Sequence, residues 1–321
     1  MDDDSNDPVF TELAVTAVDP VAADIVRFEL RRPGGGALPP FTAGAHVPVL
    51  TPSGALRRYS LCNDPHETDR YEIAVKRDAG GRGGSISMVD DVRAGDLVPV
   101  AEPRSEFALS PRANRFLFIA GGIGITPILS MMRFLATSGL GSFRLVYLTR
   151  DRASTAFHDV VSSTFAASTT LHHDHGNPAE AFDLWPLLEK PTKAHIHCCG
   201  PRALMDAVRD MSGHWPFGAV HFESFGVDAA TRRHDEAFDV HLARSGRTIH
   251  VPRELSILEA LRAQGVLVRS SCEAGSCGSC RTGLLAGDVE HRDFVLGEQE
   301  RDSAIMVCCS RARAGALTLD L

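Results

Sequence analysis

Four of the eight cysteines fall in one C-terminal window, at Cys272, Cys277, Cys280 and Cys308, with Cys309 beside the last. The first three are spaced Cys-x4-Cys-x2-Cys, and 27 residues separate the third from the fourth. Thiols clustered in this way in a chain without a secretory pattern read as metal ligands before disulfides. The spacing is that of plant-type 2Fe–2S loops. Structural zinc sites usually come as two Cys-x2-Cys pairs instead. Four thiolates converging on two irons require a tightly wrapped loop, and Gly275 and Gly278 permit the dihedrals this needs. Ser271, Ser276 and Ser279 keep the loop polar, and its backbone N–H groups can point at the sulfurs, which helps to set a potential. Adjacent residues on a strand face opposite ways, so only one of Cys308 and Cys309 can serve as the fourth ligand.

A second candidate lies mid-chain, where the apolar run Phe116–Ala120 leads into Gly-Gly-Ile-Gly-Ile-Thr-Pro at 121–127. This is not the Rossmann G-x-G-x-x-G pattern. Thr126 nevertheless suits an N-cap and Pro127 a first helical position. A helix start beside glycines offers free N–H groups and partial positive charge to a pyrophosphate. On this motif alone, a tight turn without a ligand is the alternative. Further on, a strand-like run ends in His197-Cys198-Cys199-Gly200-Pro201. The carboxyl edge of a parallel sheet is where ligands bind. Cys198 reads as a core residue, and Cys199, beside the Gly-Pro turn, as lining a nicotinamide pocket.

A third candidate is Arg57-Arg58-Tyr59-Ser60-Leu61. A planar isoalloxazine needs an apolar or aromatic wall, a hydrogen-bond partner near N5 and a cation for its phosphate. Tyr59, Ser60 and Arg58 supply these in one extended segment. The glycine-rich stretch Gly80–Ser85 then opens a helix, a second anion-binding start. Taken alone, the Arg57–Leu61 segment could be any edge strand.

These residues require three kinds of scaffold. From about Thr11 to Glu102 short strand-like runs (LAVTAV, IVRFEL, HVPVL, LRRYSL, YEIAVK) follow one another, with a turn at Ser53-Gly54 and one helix near Ser85 to Asp91. This predicts an antiparallel β-barrel flavin domain over 1–111. From Arg115 to Gly226 the runs FLFIA, FRLVYL, TTLHH, AHIHCC and AVHFE alternate with helical segments starting near Pro127, Thr155, Ala179 and Pro201. That rhythm predicts a doubly wound α/β domain over 112–226. The polar stretch 227–235 reads as a linker. Residues 236–321 form the third unit, with a hairpin turning at Ser245-Gly246, a helix near Ile257 to Gln264, the irregular cysteine loop and a closing strand ALTLDL.

Composition excludes other classes. Hydrophobic residues make up 44% and charged residues 23%, an ordinary globular balance. A net charge of −8 lacks the basic stripe of a nucleic-acid binder. The acidic start is unlike a signal peptide. The uncharged stretch Phe116–Met132 is broken by glycines and a Thr-Pro pair, so no membrane span is expected. The expectation is a cytoplasmic monomer.

Together, RRYSLCND, GGIGITPILSM, CCGPRALM, FESFG and CEAGSCGSC resemble the ferredoxin–NADP reductase superfamily. The order barrel, nucleotide domain and C-terminal β-grasp ferredoxin is similar to the phthalate dioxygenase reductase family, over essentially the whole chain. The resemblance implies FMN held by Arg58, Tyr59, Ser60, Ala74, Val75, Lys76, Gly83, Gly84 and Ser85. It implies NADH lined by Gly121, Gly122, Gly124, Thr149, Arg150, Cys199, Gly200 and Pro201, with Thr126 and Phe225 near flavin and nicotinamide. It also points to Cys308 as the fourth cluster ligand, although Cys309 stands where relatives carry an apolar residue. The implied reaction is hydride transfer from NADH to flavin, with Ser60 and Cys199 at the reacting atoms, then single electrons through the cluster to a Rieske oxygenase partner. A plant-type cluster near about −400 mV can drive a Rieske centre at about −150 mV or above. Asp151 would disfavour a 2′-phosphate, and hence NADPH, while Arg150 beside it could attract one. A stand-alone NADH:ferric or NADH:quinone reductase shares every motif and differs only in its acceptor. His172-His173-Asp174-His175 looks metal-like but is read as structural, and His291 either shapes the cluster loop or lies at the surface.

Overall fold

The computed structural model describes residues 9–81, 83–226 and 234–321. The greater part of the expected linker, 227–233, lies outside the described residues. The chain packs as two compact units, Met1–Glu223 and Ser224–Leu321.

The first unit begins with a six-stranded antiparallel sheet. Its strands are β1 (Phe10–Ala22), β2 (Ile25–Arg31), β3 (His46–Leu50), β4 (Leu56–Ser60), β5 (Tyr71–Lys76) and β6 (Leu97–Ala101), in the order β4-β3-β6-β1-β2-β5. The two ends meet where Leu61, just past β4, bridges Ile73 of β5, and Cys62 N donates to Glu72 O at 2.9 Å. Closure into a barrel removes the exposed edges. Phe28, Leu30, Val47, Val49, Leu61 and Ile73 fill the interior with Met88 of α1 (Gly84–Asp91). Each such side chain stabilises the fold by about 1.5–3 kcal/mol on burial.

The same unit continues with a five-stranded parallel sheet of β7 (Arg115–Gly121), β8 (Ser142–Thr149), β9 (Thr169–His173), β10 (His195–Cys199) and β11 (Val220–Glu223), ordered β11-β10-β7-β8-β9. Its helices are α2 (Ile125–Ser138), α3 (His158–Ser163), α4 (Trp185–Leu188) and α5 (Arg202–Met211). The chain winds one way from β7 and then the other from β10, so the direction switches between these two strands. In doubly wound sheets the ligand crevice opens at that switch, beyond the carboxyl ends. Helix α2 ties barrel to sheet: Ser130 Oγ donates to Asn63 O at 2.8 Å, and Arg133 donates to Cys62 O at 2.8 Å and pairs with Glu72 at 3.2 Å.

The second unit is a mixed sheet in the order β13-β12-β16-β14-β15. It contains β12 (Phe238–Leu242), β13 (Arg247–Val251), β14 (Arg281–Glu290), β15 (Ala304–Met306) and β16 (Arg311–Leu319). Helices α6 (Ile257–Ala263) and α7 (Glu298–Arg301) complete this β-grasp arrangement. A capping box starts α6: Ser256 Oγ accepts from Glu259 N, and Glu259 Oε2 accepts from Ser256 N. The sequence reading did not anticipate β14 or β15. Three register shifts along β14 and its two glycines break the period-2 alternation by which a strand is recognised.

Among the described residues, no helix is long and apolar enough to cross a membrane.

Candidate redox site

Strand β4 alternates its side chains, so Arg57 and Tyr59 share one face and Arg58 and Ser60 the other. The Tyr59 hydroxyl is buried without a hydrogen-bond partner among the described residues, and burial pushes the phenol up. Nearby, α1 starts after Gly83 (φ +84°) with no side-chain cap and no acid in its first turn. A β-carbon on Gly84 would lie 2.7 Å from Arg57 Nε, so the Arg57 guanidinium sits against this helix start. An uncapped N-terminus beside an arginine suits a phosphate, and an unpartnered phenol on the same face suits a heteroaromatic ring edge. The residues present therefore fit a flavin mononucleotide. Ala74 and Val75 of β5 are buried, Lys76 is exposed at the strand end, and Ser85 Oγ accepts from Asp78 N at 3.1 Å.

At the switch point two glycine turns press together. A β-carbon on Gly124 would lie 2.1 Å from Cys199 O, and one on Gly121 2.6 Å from Pro201 Cδ. One on Gly200 would meet Gly121 Cα at 2.9 Å. Gly122 needs its freedom for another reason, a φ of +53°. Thr126 is not the N-cap the sequence suggested. A short 3-10 turn at Gly122–Gly124 carries the chain into α2, Gly124 takes the cap position, and the buried Thr126 hydroxyl donates back to Ile123 O at 3.0 Å. At the end of β8, Thr149 bonds His173 Nδ1 at 2.9 Å and Thr155 at 2.8 Å, while Arg150 is exposed. His172 engages Glu180 O instead. Ser154 N donates to the Asp151 carboxylate at 2.8 Å, which lowers its pKa.

Ser60, at the end of β4, donates to Glu223 Oε2 at 3.3 Å in a buried setting. Glu223 ends β11 in register with Cys199 at the end of β10. Burial first, and then the Glu223 carboxylate, push the Cys199 thiol well up, so it is a neutral thiol. Barrel hydroxyl, sheet carboxylate and sheet thiol thus lie together at the carboxyl edge of the sheet. Phe225, two residues beyond β11, is 51% exposed.

The cysteine loop carries positive φ at Glu273, Gly275 and Gly278. Ala274 N and Ser276 N each donate to Cys272 Sγ at 3.4 Å, Cys272 N donates to Cys277 Sγ at 3.4 Å, and Ser279 Oγ lies 3.1 Å from Cys277 Sγ. The thiols are mutually engaged. A hydrogen bond with Cys277 draws Cys272 down, one with Cys308 draws Cys280 down, and Cys277 and Cys308 move up in return, each chiefly through Cys272. Four converging sulfurs fed by backbone N–H groups fit a 2Fe–2S cluster. Cys308 and Cys309 lie in the turn after β15, so strand alternation is not what distinguishes them. Cys308 engages Cys272 and Cys280, whereas Cys309 Sγ contacts Met306 O and Ser310 Oγ and sits under Gly275.

The chain is 56% identical over 317 residues to the phthalate 4,5-dioxygenase oxygenase reductase subunit of Pseudomonas putida, covering 98% of each. The chain belongs to the phthalate dioxygenase reductase family. It is 54% identical to the phthalate dioxygenase reductase of Burkholderia cepacia, covering 97% of this chain and 98% of the relative. A solved phthalate dioxygenase reductase, described as a modular structure for electron transfer from pyridine nucleotides to [2Fe–2S], matches with TM-score 0.77 over 97% of this chain and 98% of that one. Residues 240–313 match the 2Fe-2S iron-sulfur cluster binding domain family. A phthalate dioxygenase reductase family member is an oxidoreductase, and the expected set of FMN, NADH and 2Fe–2S goes with that membership.

Two residues of this reductase escaped the sequence reading. Arg57 is one, since the side of a strand that meets a distant helix is not written locally. Glu223 was seen only as part of FESFG; an acid closing an apolar strand was the available signal.

Proposed function

We propose that the chain is the NADH-dependent reductase component of a Rieske-type aromatic-ring oxygenase system. Residues 1–111 serve as the flavin domain, 112–226 as the nucleotide domain and 236–321 as the ferredoxin domain. The observation that supports this most directly is the meeting of Ser60, Cys199 and Glu223 at the switch point of a chain that also carries a four-thiol loop. When bound, flavin takes a hydride and the cluster takes electrons one at a time, which divides a two-electron donor.

The residues orient and exclude. Tyr59 and Ser60 hold the ring edge, and Ser60 is itself fixed by Glu223. The uncapped start of α1 with Arg57 takes the phosphate, Arg58 faces the other way on β4, and Ala74, Val75, Lys76 and Ser85 frame the flavin. Gly121, Gly124, Gly200 and Pro201 pack the two turns together, Gly122 adds no side chain to the space beside them, and the pyrophosphate lies against these turns with Thr149 and Arg150 toward the adenosine. Cys199, neutral and buried, keeps water from the nicotinamide face. Cys272, Cys277, Cys280 and Cys308 hold the cluster. The protein works as a cytoplasmic monomer without nucleic acid or membrane, and its acceptor is the oxygenase.

The test is anaerobic titration of the purified protein with NADH, followed at flavin and cluster wavelengths, then mixing with the oxygenase of a phthalate system. Reduction of that oxygenase at catalytic rates is expected. Turnover of ferric salts or quinones with no transfer to any Rieske protein would refute the assignment and favour a stand-alone reductase.

A further inference from the structure

Behind the cysteine loop lies a carboxylate that the redox machinery described above does not use. Asp293 is 0% exposed. Its Oδ2 accepts from Val295 N at 3.1 Å and Leu296 N at 2.7 Å, while Oδ1 accepts no hydrogen bond among the described residues. The side chain that faces Oδ1 is His291, with Nδ1 at 3.7 Å. Burial pushes that imidazole down against the pull of Asp293 itself, and Arg301 opposes its protonation further, so it is a poor counter-charge for the carboxylate. Arg292 does not cancel it either, because its guanidinium is committed to Asp235 at 2.6 Å and Glu290 at 2.9 Å.

The position relative to the cysteines is fixed by backbone contact. A β-carbon on Gly275 would lie 3.1 Å from Asp293 Cα and 2.7 Å from Cys309 Sγ, and Phe294 N donates to Gly275 O at 2.9 Å. Gly275 lies between Cys272 and Cys277, so Asp293 backs the loop that carries these two ligands, and the same Gly275 meets Cys309, the neighbour of Cys308.

We propose that the buried Asp293 carboxylate sets the reduction potential of the cluster, holding it lower than the thiolate loop alone would give. The inference rests on the cluster assignment above. One-electron reduction adds one negative charge to the cluster and needs no proton or further reactant. A fixed negative charge nearby disfavours that state, and net charge and burial are levers by which proteins tune such clusters. Salt screens a buried charge little. A lower potential makes the cluster a stronger donor to its acceptor.

The experiment is a potentiometric titration of the whole protein, read by visible absorption and electron paramagnetic resonance, for wild type, Asp293→Asn, Asp293→Ser and the surface control Glu298→Gln. Asparagine and serine both keep an oxygen for the two N–H donors. At the wild-type midpoint, both neutral variants should show a several-fold to tenfold higher ratio of reduced to oxidised cluster. Tenfold corresponds to about 59 mV for one electron. The shift should persist at high salt and be absent in Glu298→Gln. An unchanged midpoint in a loaded variant would overturn the proposal. So would failure of both variants to load the cluster, which would make Asp293 structural, or an equal shift in Glu298→Gln, which would make the effect one of net charge. Wild-type protein without iron or acid-labile sulfide would instead remove the cluster assignment itself.

Discussion

Gly124→Ala separates two readings of why glycines crowd the switch point. Gly124 has φ −62° and ψ −4°, which alanine adopts freely. If backbone freedom were the only issue, the substitution would stabilise by about 0.4–1 kcal/mol through the unfolded chain. The packing says otherwise. The new β-carbon would stand 2.1 Å from Cys199 O and 2.4 Å from Cys199 C, against the 3.4 Å at which ordinary contact begins. Both partners are main-chain atoms of β10 and its turn, so no side-chain rotation relieves the overlap. Overpacking typically costs about 1–3 kcal/mol and occasionally more, and this case belongs at the upper end. In a unit of this size about 3 kcal/mol corresponds to a fall in Tm of roughly 6–12 °C.

The functional loss should exceed the loss of stability. Relief requires the Gly121–Gly124 and Cys199–Pro201 turns to part, which moves Cys199 relative to Ser60. A displacement on the order of 1 Å at a reacting pair is worth about 100-fold in rate. Stopped-flow reduction by NADH, read at the flavin, should show that loss, while cluster absorbance, which reports the other unit, should be unchanged. Gly122→Ala is the control: nothing lies within 4 Å, but φ is +53°, so it should cost only about 1–2 kcal/mol of backbone strain. If Gly124→Ala melted as high as wild type and took hydride at the same rate, the close-packing argument would be wrong.

Other outcomes follow from the same geometry. Ser60→Ala should slow flavin reduction by roughly tenfold or more, because it leaves a buried carboxylate without a charge-assisted hydrogen bond worth about 1.5–3 kcal/mol; a wild-type rate in stopped flow would contradict this. Cys308→Ser should lose the native cluster spectrum while Cys309→Ser retains it, and the reverse pattern would reassign the fourth ligand. His197 is buried and pushed down to about 3, chiefly by burial, against about 6.5 in the unfolded chain. Between those values the unfolded state binds a proton that the folded state does not. The contribution is therefore whole above about pH 6.5 and shrinks as pH falls toward 3, by up to about 1.36 kcal/mol per pH unit. Urea melts of His197→Phe between pH 6.5 and 4.5 should show a slope shallower by about one proton, and parallel curves would count against it.

Residues whose roles are local in sequence were legible. The cysteine spacing, the glycine-opened helix at Gly84 and the Gly-Gly-Ile-Gly turn each announce a backbone shape within ten residues, and each shape is present. What sequence could not supply was pairing at a distance. Ser60 and Glu223 are 163 residues apart, and nothing near either signals the other. Strand β14 was hidden because its bulges break alternation. Thr126 was misplaced as an N-cap because the 3-10 turn ahead of α2 moves the helix start, and helix ends are set by hydrogen bonding the sequence states only weakly.

At both redox loops the chain gives up side chains so that main chain can approach main chain. Gly124 lets α2 begin against the backbone of Cys199, and Gly275 lets the cysteine loop lie on Asp293 and Cys309. The physical result differs between the two. At the switch point the close approach packs the start of α2 against the end of β10, beside Ser60, Glu223 and Cys199. At the cysteine loop it turns N–H groups inward onto Cys272 and Cys277 and closes a fully buried carboxylate behind them. A permanently held cofactor can be tuned by a buried charge because that charge is desolvated once, on folding. Both loops thus stand against a buried carboxylate, met differently: at the switch point Glu223 accepts from the Ser60 hydroxyl, whereas behind the cysteine loop Asp293 accepts from two backbone N–H groups.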